Sequence, residues 1–319
     1  MTALEAVGVY VPSGRVPIED LAEHFGLSTM QVQVFRRYPQ LAQSSRDPDG
    51  GLLELLRGAV ADLDGLRGRE DRVRYVVHAR TFPLVVQYPQ NPLRELCFEF
   101  GLDQAATFAV GHHASASGLL AVDVAGRLLT ADADPEALAL VVAGEKGFAR
   151  QTRTASETRF LAEGAAACLI RAEGTHDRLL AYATDLRGEF EDYEYEYEHE
   201  YKHETEAAAA LQQQYADCLA AAILTAVERC GLEMGAISLI LPHSVDRLAW
   251  QRVCRRLGFP LDRVVLDNLA SIGPLFCADA FVNYRTARTR GLLRPGDRYV
   301  MAAAGAGLGA AFSAMVFEH

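Results

Sequence analysis

The chain has 319 residues, 50% hydrophobic and 23% charged, with a formal net charge of −11 at neutral pH. That acidity argues against a general nucleic-acid or anionic-membrane partner, since neither attracts an acidic surface. No apolar run of about 18 residues offers a membrane span, and the first residues lack the basic and apolar regions of a signal peptide. A cytoplasmic protein is therefore expected.

The elements can be taken in chain order. "VGVYVPSGR" (7–15) reads as a strand and a turn, and "VRYVVHA" (73–79) as a short β-rich run. Ser117 to Leu129 carries small and apolar residues on nearly every side, as a buried helix does. "LALVVAGE" (138–145) is continuously apolar, the mark of a strand covered on both faces. "GAAACLIRAEG" (164–174) is a further strand. The segment 189–206, "EFEDYEYEYEHEYKHETE", alternates Tyr with Glu and reads as a solvated insertion or a rim over a site.

The second half repeats the rhythm. Ala207 to Cys230 is a helix stopped by Gly231, 236–243 a strand, and Arg247 to Leu257 an amphipathic helix closed by Gly258. "DRVVLD" (262–267) reads as a strand, Leu275 to Arg290 as a helix, and the Gly-rich C-terminus as a hairpin. Alternating β and α elements imply an α/β fold. The two similar halves, 1–174 and 175–319, suggest a duplicated unit, with 189–206 inserted in the second. The six cysteines are scattered without CxxC or Cys/His metal spacing, so no metal is expected and the thiols read as buried.

Several segments together resemble the ketoacyl-synthase III family of the thiolase superfamily. "GHHASASGLLAVDVAGRLL" (111–129) is similar to the family's nucleophile turn, and "LILPHSVDRLAWQRVCRRLGFPLDRVVLD" (239–267) to its catalytic-histidine segment. The strands around 137–170, the opening "VGVYVPSGRVPIEDLAEHFGL" and the tail "AAAGAGLGAAFSAMVF" follow the family's order and spacing. The resemblance implies a five-layered αβαβα fold and a homodimer formed through a strand of the N-terminal half.

The resemblance also implies a site with altered chemistry. The family's nucleophilic cysteine aligns with Ser115, with Ser117 as the alternative, and its histidine with His243. The second nitrogen donor falls in "NLASIGPLF", where Ser271 is the best match and Asn268 lies close by. Serine is a weak nucleophile unless a base takes its proton, so His243 is expected as general base. Glu145, Glu163 or Asp246 could orient it. Backbone N–H groups of Ser115 and Gly307 would form the oxyanion hole, and His112 and His113 neighbour the site.

Losing the second donor points away from decarboxylating condensation and towards acyl transfer, as in members of the family that serve natural-product pathways. The donor would be a coenzyme A or acyl-carrier-protein thioester, a substrate rather than a resident cofactor. Arg247, Arg252, Arg255 and Arg256 on the helix after His243 are candidates for docking a carrier or coenzyme A phosphates, with Arg36 and Arg37 as a second pair. The other readings are a silent subunit that pairs with an active synthase, and a weak condensing enzyme with a serine nucleophile.

Overall fold

A computed structural model describes residues 1–25, 28–37, 41–82, 90–146, 162–190, 206–244, 246–307 and 309–319. The strands are β1 (Ala3–Tyr10), β2 (Arg15–Pro17), β3 (Gln43–Ser45), β4 (Val73–Ala79), β5 (Ala106–Val110), β6 (Leu138–Glu145), β7 (Gly164–Arg171), β8 (Arg178–Arg187), β9 (Leu239–Pro242), β10 (Arg298–Gly307) and β11 (Gly309–Glu318). The helices are α1 (Ile18–Phe25), α2 (Thr29–Arg37), α3 (Leu52–Ala61), α4 (Pro92–Glu99), α5 (Ser117–Asp132), α6 (Glu206–Arg229), α7 (Arg247–Leu257), α8 (Asp267–Ser271) and α9 (Asp279–Thr289).

The large sheet runs β5-β4-β6-β7-β1-β8-β11-β10-β9. On one side β4 pairs parallel with both β5 and β6, then β6, β7 and β1 follow antiparallel. On the other side β9 pairs parallel with β10, then β10, β11 and β8 follow antiparallel. A parallel bridge from Ile240 to Val264 stands outside β9 where β5 stands outside β4. Both halves thus have the same strand order and sense, and they join through one pairing, Ala3 with Arg178.

Side chains alternate along each strand between two cores, and this builds the layers. Along β6, Leu138, Leu140 and Val142 meet α3 and α4 in an outer core, whereas Ala139, Val141 and Ala143 meet α5 and α9 in a central one. Along β10, Val300, Ala302 and Ala304 face α6 and α7, and Tyr299, Met301 and Ala303 face the central helices. The order is α3/α4, sheet, α5/α9, sheet, α6/α7, which is the five-layered αβαβα arrangement. Helix α5 is small and apolar all round because it lies in the middle layer, with Leu119, Ala121, Val122, Ala125 and Leu129 buried.

Two expected elements differ. "DRVVLD" forms no strand: Leu261–Arg263 make a 3-10 turn and α8 begins at Asp267, leaving Val264 alone to pair. The helix expected from Leu275 is broken at its start. Phe276 takes φ +57°, Phe276–Ala278 form a 3-10 turn, and α9 begins only at Asp279. The acidic segment lies, from 191 to 205, outside the described residues. No helix among the described residues is long and apolar enough to cross a membrane.

Candidate active site where two turns meet

After β5 the chain enters a 3-10 turn, Ala114–Ala116, and passes directly into α5. Ala114 has φ +45°, a region that costs a residue with a Cβ. The turn lies against β10 because residue 305 is glycine. A Cβ there would stand 2.8 Å from the Ala114 Cβ and 2.9 Å from the Ser115 nitrogen. Ser117, fully buried, accepts the His113 N–H at 3.2 Å and ties the turn to the helix. Ser115 is half-buried, and its hydroxyl makes no hydrogen bond among the described residues. His112 is exposed and His113 buried. Burial, with His112 beside it, lowers the His113 pKa, and its Nδ1 has no hydrogen-bond partner among the described residues.

His243 follows the last residue of β9 and is buried. Its backbone is fixed at both ends: its N–H donates to the Ala302 carbonyl at 2.8 Å, and its carbonyl accepts from Trp250 Nε1 at 3.0 Å. The Ala304 N–H points at Nδ1 at 3.4 Å. Nδ1 is therefore the acceptor nitrogen, and the proton of the neutral ring sits on Nε2. In that tautomer the ring would present Nε2–H as a donor, while the expected role as base would need the other tautomer. His243 and the Ser115 turn approach neighbouring residues of one strand, Ala304 and Gly305.

None of the three carboxylates expected to orient His243 is engaged with it in the contacts described. Asp246 caps α7 by accepting the Ala249 N–H at 2.6 Å, and Glu163 pairs with Lys146 at 2.7 Å. Glu145 Oε1 accepts the N–H groups of Thr81 and Phe82 at 2.6 and 3.0 Å. Its Oε2 is buried without a hydrogen-bond partner among the described residues. Burial pushes the Glu145 carboxyl up to about 7. A fourth carboxyl, Asp279, accepts from Ser244 N and Leu275 N, both at 2.9 Å, and burial raises it to about 7 as well.

The turn before α9 supplies a contact that the sequence reading missed. The Cys277 thiol donates to the Ala114 carbonyl at 3.3 Å and lies 3.3 Å from Thr81 Oγ1. Gly118, without a Cβ, lets the Cys277 backbone approach α5. Ser271, expected as the second donor, is exposed, and its carbonyl accepts from Arg15 and Gln43 at 3.0 Å each. The structure places it at the surface, because α8 ends there and the chain turns inward only beyond Gly273. Asn268 acts at one remove: its Nδ2 reaches Asn283 Oδ1, and Asn283 Nδ2 holds the Pro242 carbonyl, each at 2.8 Å. Gly307 pairs with Gly309 at the tip of the β10–β11 hairpin, two residues beyond the turn contact.

The arginines lie on the surface. Arg247, Arg252, Arg255 and Arg256 are exposed along α7, and Arg256 pairs with Asp217 of α6. Arg36 and Arg37, at the end of α2, are exposed, with Arg36 bound to Glu19 at 2.6 Å. Among the described residues no cluster of His, Cys, Asp and Glu could hold a metal ion.

A mixed sheet in two like halves around a central pair of helices, with a helix-opening turn set against the last hairpin, defines a thiolase-like fold. Residues 227–318 match the family described as 3-oxoacyl-[acyl-carrier-protein (ACP)] synthase III C terminal. The chain is 35% identical over 79 residues to a beta-ketoacyl-[acyl-carrier-protein] synthase III of Nitratidesulfovibrio vulgaris. That stretch is 25% of this chain and 24% of the relative, so the chain spans about a quarter of the curated protein it matches. The whole fold superposes on 3-oxoacyl-[acyl-carrier-protein] synthase III from Aquifex aeolicus with TM-score 0.81 at 17% identity, covering 100% of each chain. ChlB3, named as an acyltransferase, superposes with TM-score 0.82 at 17% identity over 99% of this chain and 97% of that one.

Proposed function

We propose that this protein transfers an acyl group from a thioester, on coenzyme A or a phosphopantetheinyl carrier protein, to a hydroxyl, amine or carrier acceptor. The observation that carries the reading is that His243 and the turn before α5 meet neighbouring residues of β10: the Ala304 N–H reaches His243 Nδ1, and Gly305 lies against Ala114 and Ser115. A thioester carbonyl that reached Nε2–H there would gain a hydrogen bond as its oxygen becomes negative. Such a donor is typically worth about 10²–10³ in rate. The backbone N–H groups of Ser115 and Gly307 are the candidate partners in that oxyanion hole. Ser115 is the acyl acceptor that the sequence points to, and a natural-product or lipid-like pathway is the setting the altered turn suits.

The fold supports a homodimer through β5, which is the outer strand of the sheet and carries exposed residues Ala106, Thr107 and Ala109. The exposed arginines of α7 support docking of an acidic carrier. Condensation is the weaker reading, since Ser271 lies at the surface and supplies no second donor. A silent subunit is the second reading. It is favoured by the turn itself: the strained residue Ala114 carries only a methyl group, and the Ser115 hydroxyl has no base hydrogen-bonded to it.

Intact mass after incubation with acyl-coenzyme A and acyl-carrier donors tests the proposal. A gain equal to the acyl group, or transfer to an added acceptor, supports acyl transfer, and its loss in Ser115→Ala assigns the serine. No adduct and no transfer with any donor leaves the silent-subunit reading.

A further inference from the structure

We infer that Cys277 is an acyl-accepting thiol of this site, supplied in space by the second half of the chain where the turn before α5 has none in sequence. The inference rests on the acyl-transfer reading above and changes the group that takes the acyl chain.

The first argument is the repeat of the fold. In each half, a 3-10 turn opens with a residue at positive φ and leads into a central-layer helix. The turns are Ala114 (φ +45°) before α5 and Phe276 (φ +57°) before α9. Ser115 follows the strained residue in one turn, and Cys277 follows it in the other. The two turns touch, because the Cys277 Sγ–H donates to the Ala114 carbonyl at 3.3 Å. The thiol thus sits at the first turn of α5; burial, and after it the Glu145 charge, raise its pKa well above the ordinary thiol value, and the Thr81 hydroxyl and Gly118 N–H offset only part of that rise. Thr81 Oγ1 lies 3.3 Å from the sulfur and can donate to it.

The second argument is a pair of unsatisfied polar atoms, one on a carboxyl that acts on the thiol and one in the turn that the thiol touches. Glu145 Oε2 and His113 Nδ1 are both buried, and neither has a hydrogen-bond partner among the described residues. Glu145 acts on the thiol from the β6 side, through the field of its carboxylate. His113 adjoins the very residue whose carbonyl the thiol touches. Buried polar atoms without partners are rare and expensive. A partnerless carboxylate oxygen whose charge reaches the thiol, with a second partnerless atom in the turn that the thiol touches, marks a place where a polar group of a substrate belongs.

The chemistry balances as a transthioesterification. Burial and then the Glu145 charge hold the resting thiol protonated, so a base is needed. As sulfur attacks the thioester carbonyl carbon, its proton passes to the Glu145 carboxylate. The carbon–sulfur bond to coenzyme A or pantetheine then breaks, and the proton returns to the departing thiolate. One thioester and one thiol become another thioester and another thiol, with no change in oxidation state. The acceptor's hydroxyl or amine would later attack the Cys277 thioester, releasing the thiol.

The test uses the full chain with acetyl- and octanoyl-coenzyme A. After an acid quench, half of each sample is treated with neutral hydroxylamine, which cleaves thioesters and spares oxygen esters, and both halves are mapped by peptide mass. The expected adduct lies on the Cys277 peptide, is removed by hydroxylamine, persists in Ser115→Ala and is absent in Cys277→Ala. In Cys277→Ser it is absent or hydroxylamine-resistant. The map of the unmutated protein decides even where a variant fails to fold. A hydroxylamine-resistant adduct on Ser115 would overturn the role of Cys277 and leave acyl transfer standing. No adduct and no transfer from any donor would overturn both.

Discussion

The backbone N–H of Ala304 meets His243 Nδ1 at 3.4 Å, a contact that favours the neutral tautomer with its hydrogen on Nε2. With Nδ1 accepting, a thioester oxygen that reached Nε2 would meet a donor. His243→Ala should therefore lower the single-turnover rate of acyl loss from the thioester by about 10²–10³. His243→Gln, which can place an amide N–H nearby, should recover part of that rate, whereas His243→Glu, an acceptor when ionised, should not. A fully active His243→Ala protein would remove the histidine from the chemistry.

Gly305 is the residue that lets the turn before α5 lie on β10. An added Cβ would come within 2.9 Å of the Ser115 nitrogen and still closer to the Ala114 methyl. Neither neighbour can yield easily, because Ala114 is already at positive φ and Ser117 pins the turn from the other side. Gly305→Ala should cost about 1–3 kcal/mol of stability, as overpacking does. Its loss of acyl-transfer rate should exceed what the lowered thermal midpoint explains. Circular dichroism and the transfer assay on the same sample would show this, and an unchanged rate would mean that the turn is not part of the site.

Glu145 and Asp279 make stability depend on pH in a stated direction. Burial raises both to about 7 in the folded chain, against ordinary values of 4.5 and 3.8. An acid whose folded pKa is raised is protonated more readily in the folded state. Its stabilising share is present below the unfolded pKa and is lost as pH rises through the folded one. Across roughly pH 4–8 the two groups should together remove a few kcal/mol. Glu99 and Glu318, held low mainly by Arg57 and Arg178, act oppositely at the acid end. Urea unfolding at pH 5.5 and 8 should show a smaller difference in Glu145→Gln and Asp279→Asn than in the parent chain. An equal slope in all three would refute the assignment.

Much of the fold could be read along the chain because strands covered on both faces declare themselves. The run 138–145 is buried at all eight positions, and Gly258, expected to close α7, takes φ +61°. The site was less legible, since its parts are brought together by the pairing of two halves. Nothing in "SIGPLFCAD" says that Cys277 touches Ala114, 163 residues away. Ser271 stands where the family resemblance expects a donor, but at the end of α8 it is exposed. The strained backbone at Ala114 and Phe276 has no signature in side-chain type, because neither residue is glycine or asparagine.

Arg252 and Arg255 are exposed on α7 and make no ion pair among the described residues, unlike Arg256, which Asp217 holds. The helix starts at the Asp246 cap, three residues after His243, so a carrier bound along it would bring its prosthetic arm towards the strand end. Unpaired surface charges contribute mainly to encounter and salt dependence. Arg252→Glu with Arg255→Glu should raise KM for an acyl-carrier donor about tenfold, since like charge now meets an acidic partner. The change should leave kcat within a factor of about two and flatten the dependence of KM on ionic strength, because the site itself is untouched. The measurement is initial rate against carrier concentration at two salt levels. A kcat loss with KM unmoved would place these arginines in the fold's stability, and no change in either would move the docking surface away from α7.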